Sequence, residues 1–150
     1  MDLDGTVFVL SGPNLELLGQ REPAVYGHDT LEDVERACRA EAQAHGLDLV
    51  FRQTNAEHEM IGWIHEARVG AAGLVINPAA FSYHAVPVLD ALLMCDCPIV
   101  EVHISNIHRR EEWRAKSIMT QAAAGMITGL GTNGYALAVR HIAHLRGLKS

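Results

Sequence analysis

Five short apolar runs alternate along the chain with longer stretches in which apolar residues recur every three or four positions. Val7 to Leu10, Leu47 to Phe51, Gly73 to Ile76, Ile99 to Val102 and Ala124 to Thr128 are the short runs. Each is largely apolar rather than strictly alternating, the pattern of parallel strands covered on both faces. The first helical stretch opens at Thr30 with Asp33 three residues on, carries Leu31, Val34, Cys38 and Ala42 on one face, and stops at Gly46. Further helices are predicted over Asn55 to Val69, His84 to Leu93 and Asn133 to Leu145, with a shorter one after Glu111. Strand and helix in strict alternation imply right-handed crossovers and an open α/β sheet. Five strands suit a flavodoxin-like three-layer sandwich with a parallel sheet of order 2-1-3-4-5, which binds ligands at the carboxyl ends of its strands near the switch between strands 1 and 3.

The polar residues fall where that rule wants them. Strand 1 runs into Ser11-Gly12-Pro13-Asn14, strand 3 into Asn77-Pro78, and strand 4 ends in Glu101-Val102-His103-Ile104-Ser105-Asn106. Between the first strand and the first helix, Gly19-Gln20-Arg21-Glu22-Pro23-Ala24-Val25-Tyr26-Gly27 reads as a mobile segment punctuated by Pro and Gly. It brings a guanidinium near a phenol. A free phenol titrates near pH 10, and a cation about 4 Å away at an effective dielectric near 20 stabilises its anion by on the order of 4 kcal/mol. Arg21 and Tyr26 thus have the makings of a tyrosinate base; taken alone, they read first as a packed ring under a solvated Arg. Within strand 4 the period of two puts Glu101 and His103 on one face, where a carboxylate can hold an imidazole in one tautomer for general acid work. A buried His satisfied by a Glu is the structural alternative. Arg109, Arg110 and Arg114 load the next segment with positive charge, either for a ligand or as a solvated face balanced by Glu111 and Glu112, with Arg109 the one best read as solvated.

Composition narrows the field. At 150 residues and 49% hydrophobic, with no linker or repeat, the chain reads as one domain over 1–150. A formal net charge of −6 disfavours nucleic acid and anionic membranes as partners. Neither a secretory signal nor a bilayer-spanning stretch is visible, so a cytoplasmic protein is expected. Three cysteines, Cys38, Cys95 and Cys97, make neither a disulfide framework nor a zinc motif, and His58-Glu59 lacks the second His of a zincin. No phosphate-cradling glycine motif follows strand 1, which argues against a nucleotide cofactor. Asn77 stands where a receiver-type signalling module wants an acid. Lys116 and Lys149 alone leave a Schiff-base mechanism little to work with.

Four linked motifs then carry a resemblance: Ser11-Gly12-Pro13-Asn14-Leu15; Arg21-Glu22-Pro23 with Tyr26-Gly27; Asn77-Pro78-Ala79-Ala80; and Glu101-Val102-His103-Ile104-Ser105-Asn106-Ile107-His108 with Arg110-Glu111-Glu112 and Arg114. In order and spacing they resemble the type II 3-dehydroquinate dehydratases over nearly the whole chain. The resemblance implies reversible dehydration of 3-dehydroquinate to 3-dehydroshikimate, in the shikimate pathway or in quinate breakdown, without metal or organic cofactor, on a homo-oligomer, a dodecamer built from trimers. Carried over by position, Tyr26 is the base, Arg21 holds it as phenolate, Asn14 stabilises the enolate through a water, and His103, oriented by Glu101, is the acid. Asn77, Ile104, Ser105 and Arg114 bind the carboxylate and ring hydroxyls. Asp90 faces a neighbouring subunit's site, and residues 20–27 act as a lid. Where the family places Thr-His-Thr after one aromatic, this chain has Ser82-Tyr83-His84, so the contact passes to Tyr83 or His84. Ser11 and Glu16 stand where Asn is usual, and Leu89 precedes Asp90 where Arg is common. A second class of reading keeps the fold but makes the chain a binding protein for another polyhydroxylated carboxylate.

Overall fold

The computed structural model describes residues 3–148, so Asp2 and Lys149 lie outside it. Strands β1 (Thr6–Ser11), β2 (Asp48–Gln53), β3 (Gly73–Asn77), β4 (Ile99–His103) and β5 (Gly125–Thr128) form one sheet of order β2-β1-β3-β4-β5. Every adjacent pair is parallel. Helices α1 (Pro23–Tyr26), α2 (Leu31–Ala44), α3 (Glu57–Ala67), α4 (Val86–Leu93) and α5 (Asn133–Gly147) connect them. The α/β sandwich of order 2-1-3-4-5 is the architecture the alternation predicts.

The period of two along the strands sorts the core into two halves. Val7, Val9, Val75, Val100 and Val102 pack with Val34 and Cys38 of α2 and with Ala138, Val139 and Ile142 of α5. Phe8, Leu10, Leu74, Ile76 and Ile99 point the other way, onto Met60 and Ile64 of α3 and Val88 and Leu92 of α4. Phe8 has no exposed surface, and truncating it to Ala costs about 3–5 kcal/mol. By parity Glu101 and His103 belong to the second half with Ile99, so a carboxylate sits at a core position and must find donors there.

Several elements depart from the expected bounds or type for local reasons. Helix α3 starts at Glu57 rather than Asn55, because Thr54 Oγ1 accepts the Ala56 N–H at 3.0 Å and donates to Glu59 Oε1 at 2.5 Å, holding residues 54–56 in a turn ahead of the helix. Helix α4 starts at Val86 rather than His84: residues Ala79–Tyr83 form a separate 3₁₀ turn, and Pro87 opens the helix proper. The short helix after Glu111 is a 3₁₀ turn, Glu112–Ala115. The edge strands also depart from the doubly covered pattern. Strand β2 starts one residue later and ends two later than the apolar run and is only half buried, because an edge strand of mixed composition shows one side to solvent. By contrast α2 begins where its cap predicts: Thr30 Oγ1 accepts the Asp33 N–H at 3.2 Å and Asp33 Oδ2 accepts the Thr30 N–H at 2.9 Å. No helix among the described residues is long and apolar enough to cross a membrane.

Candidate active site

The carboxyl ends of β1, β3 and β4 meet in one crevice because their registers align. Ser11 lies opposite Asn77, and Ile76 opposite Glu101. The first two ends are drawn together by the Gly12 N–H, which donates to Asn77 O at 2.8 Å. A Cβ on Gly12 would stand 2.4 Å from Pro78 O, so no larger residue allows this approach. Asn14 follows in the left-handed region at φ 71°, which Asn tolerates better than most residues. Its N–H donates to Asn55 Oδ1 at 2.8 Å, and Asn55 Nδ2 donates to Glu16 Oε2 at 2.6 Å. Glu16 is thereby the acceptor that fixes the amide holding the Asn14 turn. Ser11 likewise has a partner, the buried Tyr135 hydroxyl at 3.0 Å.

The crevice has a volume of about 150 Å³. Asn14, Arg21, Tyr26, Asn77, Tyr83, His103, Ile104, Ser105 and Arg114 line it, joined by Arg110, Trp113 and small or apolar residues. Glu101 stands directly behind His103. Two of the residues singled out from the sequence lie elsewhere. His84 is exposed and pairs with Glu57 at 3.5 Å, outside this crevice, because one step around the turn from Tyr83 aims it away. Asp90 is exposed on α4, also away from its own subunit's crevice.

At the end of β4 the acid candidates are locked. Glu101 is 0% and His103 5% exposed, and His103 Nε2 lies 2.5 Å from Glu101 Oε2. The other carboxylate oxygen, Oε1, accepts from Thr120 Oγ1 at 2.6 Å. Burial pushes the Glu101 carboxyl up, but the hydrogen bonds from His103 and Thr120 outweigh it and hold the group below its ordinary value. An ionised Glu101 accepts a hydrogen bond from Nε2–H, which leaves Nδ1 as the ring nitrogen with no partner among the described residues. Beyond His103, Thr128 Oγ1 donates to Ser105 O at 3.0 Å and pins the Ile104–Ser105 backbone at the rim.

The base candidates are held differently. The segment 20–27 contains a single helical turn, α1, entered through Glu22 at φ 38° and left through Gly27 at φ 81°. At its base, Gly19 has φ +93° and packs against the His28 and Asp29 carbonyls, where a Cβ would lie 3.0 and 3.1 Å away. Tyr26 projects from this turn between two guanidiniums. Arg21 lies 5.1 Å from the ring centroid and Arg110 5.3 Å. The hydrogen bond to the phenol oxygen comes from Arg110, whose Nη1 is 2.7 Å from Tyr26 Oη and 3.3 Å from Ser105 Oγ. Arg21 instead pairs with Glu22 at 3.6 Å. Sequence reasoning gave the cation's task to Arg21 alone. Arg110 was visible only as one of three neighbouring arginines, and nothing short of the turn at Ile107–Arg109 tells which of them points inward.

Tyr83 is the second phenol in the crevice, and it faces a different environment. Its hydroxyl donates to Arg114 O at 3.3 Å, and its ring meets Trp113 edge to face at 4.9 Å between centroids. Burial raises its pKa against the opposing pull of Arg114 and Arg110, so at neutral pH it is a phenol, suited to hydrogen bonding rather than proton abstraction. Arg114 is held by Glu111 and stacks 4.4 Å from Trp113, one wall of the same crevice. The arrangement gathers three cations, two phenols, an imidazole backed by a carboxylate, and amide and hydroxyl donors. That set fits an anionic, polyhydroxylated ligand and a proton transfer at each of two positions.

Comparison with known proteins agrees. The sequence profile of the family described as Dehydroquinase class II matches residues 5–143. A 3-dehydroquinate dehydratase of Methylobacterium radiotolerans is 55% identical over 144 residues, covering 96% of this chain and 97% of that protein. The 3-dehydroquinate dehydratase 2 of Agrobacterium fabrum is 55% identical over 137 residues, covering 91% and 93%. Among solved structures, the type II dehydroquinase of Propionibacterium acnes superposes with a TM-score of 0.90 at 42% identity, covering 96% of this chain and 99% of that one. With a profile spanning nearly the whole chain, relatives above half identity and the same fold, the chain belongs to the class II dehydroquinase family.

Proposed function

We propose that this protein dehydrates 3-dehydroquinate to 3-dehydroshikimate by anti elimination through an enolate, with Tyr26 as the base and His103 as the acid. One observation carries the assignment of the base: the Tyr26 oxygen accepts a hydrogen bond from a guanidinium, Arg110, while a second guanidinium, Arg21, stands over its ring. A guanidinium hydrogen-bonded to the oxygen is a charged donor at the atom that takes up the substrate's proton. The phenolate takes the proton from the carbon beside the ketone, and the electron pair moves onto the ketone oxygen as an enolate. Asn14 stabilises that oxygen through a water, the task of a donor positioned before charge develops. As the enolate collapses, the carbon–oxygen bond breaks. The departing hydroxyl takes a proton from His103 Nδ1 and leaves as water, while Glu101 balances the charge of the imidazolium until then.

Asn77, Ser105, the Ile104 backbone and Arg114 bind the substrate's carboxylate and hydroxyls, and Tyr83 supplies the contact that a His makes in the family's usual pattern. Residues 20–27 close over the substrate and exclude water. In this reading Asp90, exposed on α4 outside its own crevice, serves a neighbouring subunit's site in a dodecamer of trimers. The test is direct: purified protein and 3-dehydroquinate at neutral pH, followed by the ultraviolet absorbance of the conjugated enone. Turnover that survives borohydride treatment in the presence of substrate supports the reading. No absorbance change across near-neutral pH overturns it, and a melting-temperature rise with quinate or shikimate in its place would favour a binding protein.

A further inference from the structure

Glu101 presents two carboxylate oxygens inside the core, and each has one donor. Oε2 accepts from His103 at 2.5 Å and Oε1 from Thr120 at 2.6 Å. Its neighbours Ile99 and Ile76 are apolar and buried, so they offer the carboxylate no side-chain donor. A carboxylate held at one oxygen turns about its Cγ–Cδ bond, and with it turns the direction along which the imidazole is gripped. Held at both, its plane is fixed. Thr120 sits in the 3₁₀ turn Ile118–Gln121, which leads into β5 beside β4, so the sheet itself sets where that hydroxyl stands. The residue is exposed while its hydroxyl reaches inward, which packing alone does not require of a surface threonine. The nearby Ser117 hydroxyl is buried without a hydrogen bond of ordinary geometry, although it adds to the electrostatic hold on Glu101.

We propose that Thr120 is a positioning residue for the dehydration: its hydroxyl fixes the Glu101 carboxylate so that His103 is gripped through Nε2 and aims Nδ1 at the departing hydroxyl. The inference rests on the reading of His103 as the acid. Without the Thr120 donor, Oε1 loses its one well-formed hydrogen bond, and the carboxylate turns toward the buried Ser117 hydroxyl at the expense of the imidazole's aim. The effect falls on proton delivery, not on substrate affinity.

The experiment compares Thr120→Val, Thr120→Ser and wild type in the enone assay, each also in a His103→Ala background measured in single turnover with enzyme in excess. Thr120→Val is expected to lower kcat about tenfold with KM within about twofold of wild type, and Thr120→Ser to keep kcat within about twofold. In the His103→Ala background, Thr120→Val is expected to change the rate by less than about twofold, since a residue acting through His103 has nothing left to act on. A wild-type kcat in Thr120→Val, a loss confined to KM, no rescue by Ser, or the same tenfold loss in the His103→Ala background each overturns the proposal. Wild type without turnover would sink the dehydratase reading instead, so the two failures are told apart within one experiment.

Discussion

The two walls of the crevice are built on opposite principles. The acid wall is the end of a central strand: Glu101 and His103 are buried, and their donors come from neighbouring elements fixed by the sheet. The base wall is one helical turn between two left-handed residues, with no buried side chain in it. Its phenol is positioned by Arg110, which reaches over from the other wall. The difference teaches how one small fold reconciles precision with access. On the proposed reading, the proton donor is set in the core and the base is carried by an exposed turn outside the sheet, with a guanidinium already at its oxygen.

The largest expected effect lies on the base wall. Tyr26→Phe removes the phenol oxygen alone, and kcat should fall about 10³-fold in the enone assay while the melting temperature stays within about 1 °C, because the side chain is only partly buried. Next come its cations. Arg110→Ala and Arg21→Ala should each lower kcat about 10²-fold, again without loss of stability, as expected when a preorganised donor or cation is removed from developing charge. A variant of either that kept wild-type kcat would remove that guanidinium from the account.

The acid wall should answer in stability as well as rate. Glu101→Gln keeps the shape but removes a buried charge that two donors serve, and it should lower both kcat and the melting temperature, the latter by about 2–8 °C. The pH dependence gives the sign. Because the folded-state pKa of Glu101 lies below its ordinary 4.5, the native state binds fewer protons than the unfolded one there. The stability it confers is present above that value and is lost as pH falls through the lower folded-state pKa. Thermal unfolding from pH 7 down to acid should therefore show a steeper loss for wild type than for Glu101→Gln; parallel curves would contradict it. The smallest effect belongs to Tyr83→Phe, which loses one neutral hydroxyl and should raise KM about threefold with little change in kcat.

The fold was legible because its central strands are largely apolar runs and α2 carries its own cap, both local signals. The edge strand β2 was less so, since its half-buried, mixed composition blurs where pairing ends. At the site, Asn14, Asn77 and the Glu101–His103 pair could be read because strand ends and strand period dictate their places. Arg110 could not, because whether its guanidinium or that of Arg109 turns inward depends on a 3₁₀ turn with no sequence signature. The Asn55–Glu16 bond was equally hidden, as it joins residues 39 apart whose meeting depends on β1 lying beside β2. His84 was misplaced for a geometric reason: adjacent positions on a turn face different ways.

The most direct test of a base on one wall and an acid on the other is stereochemical. 3-Dehydroquinate carrying deuterium in place of one or the other hydrogen on the carbon beside the ketone is converted, and the product is read by mass spectrometry. The account predicts that the hydrogen lost is the one anti to the departing hydroxyl, with the other retained in the enone. Loss of the syn hydrogen would place base and acid on the same face of the substrate and contradict it.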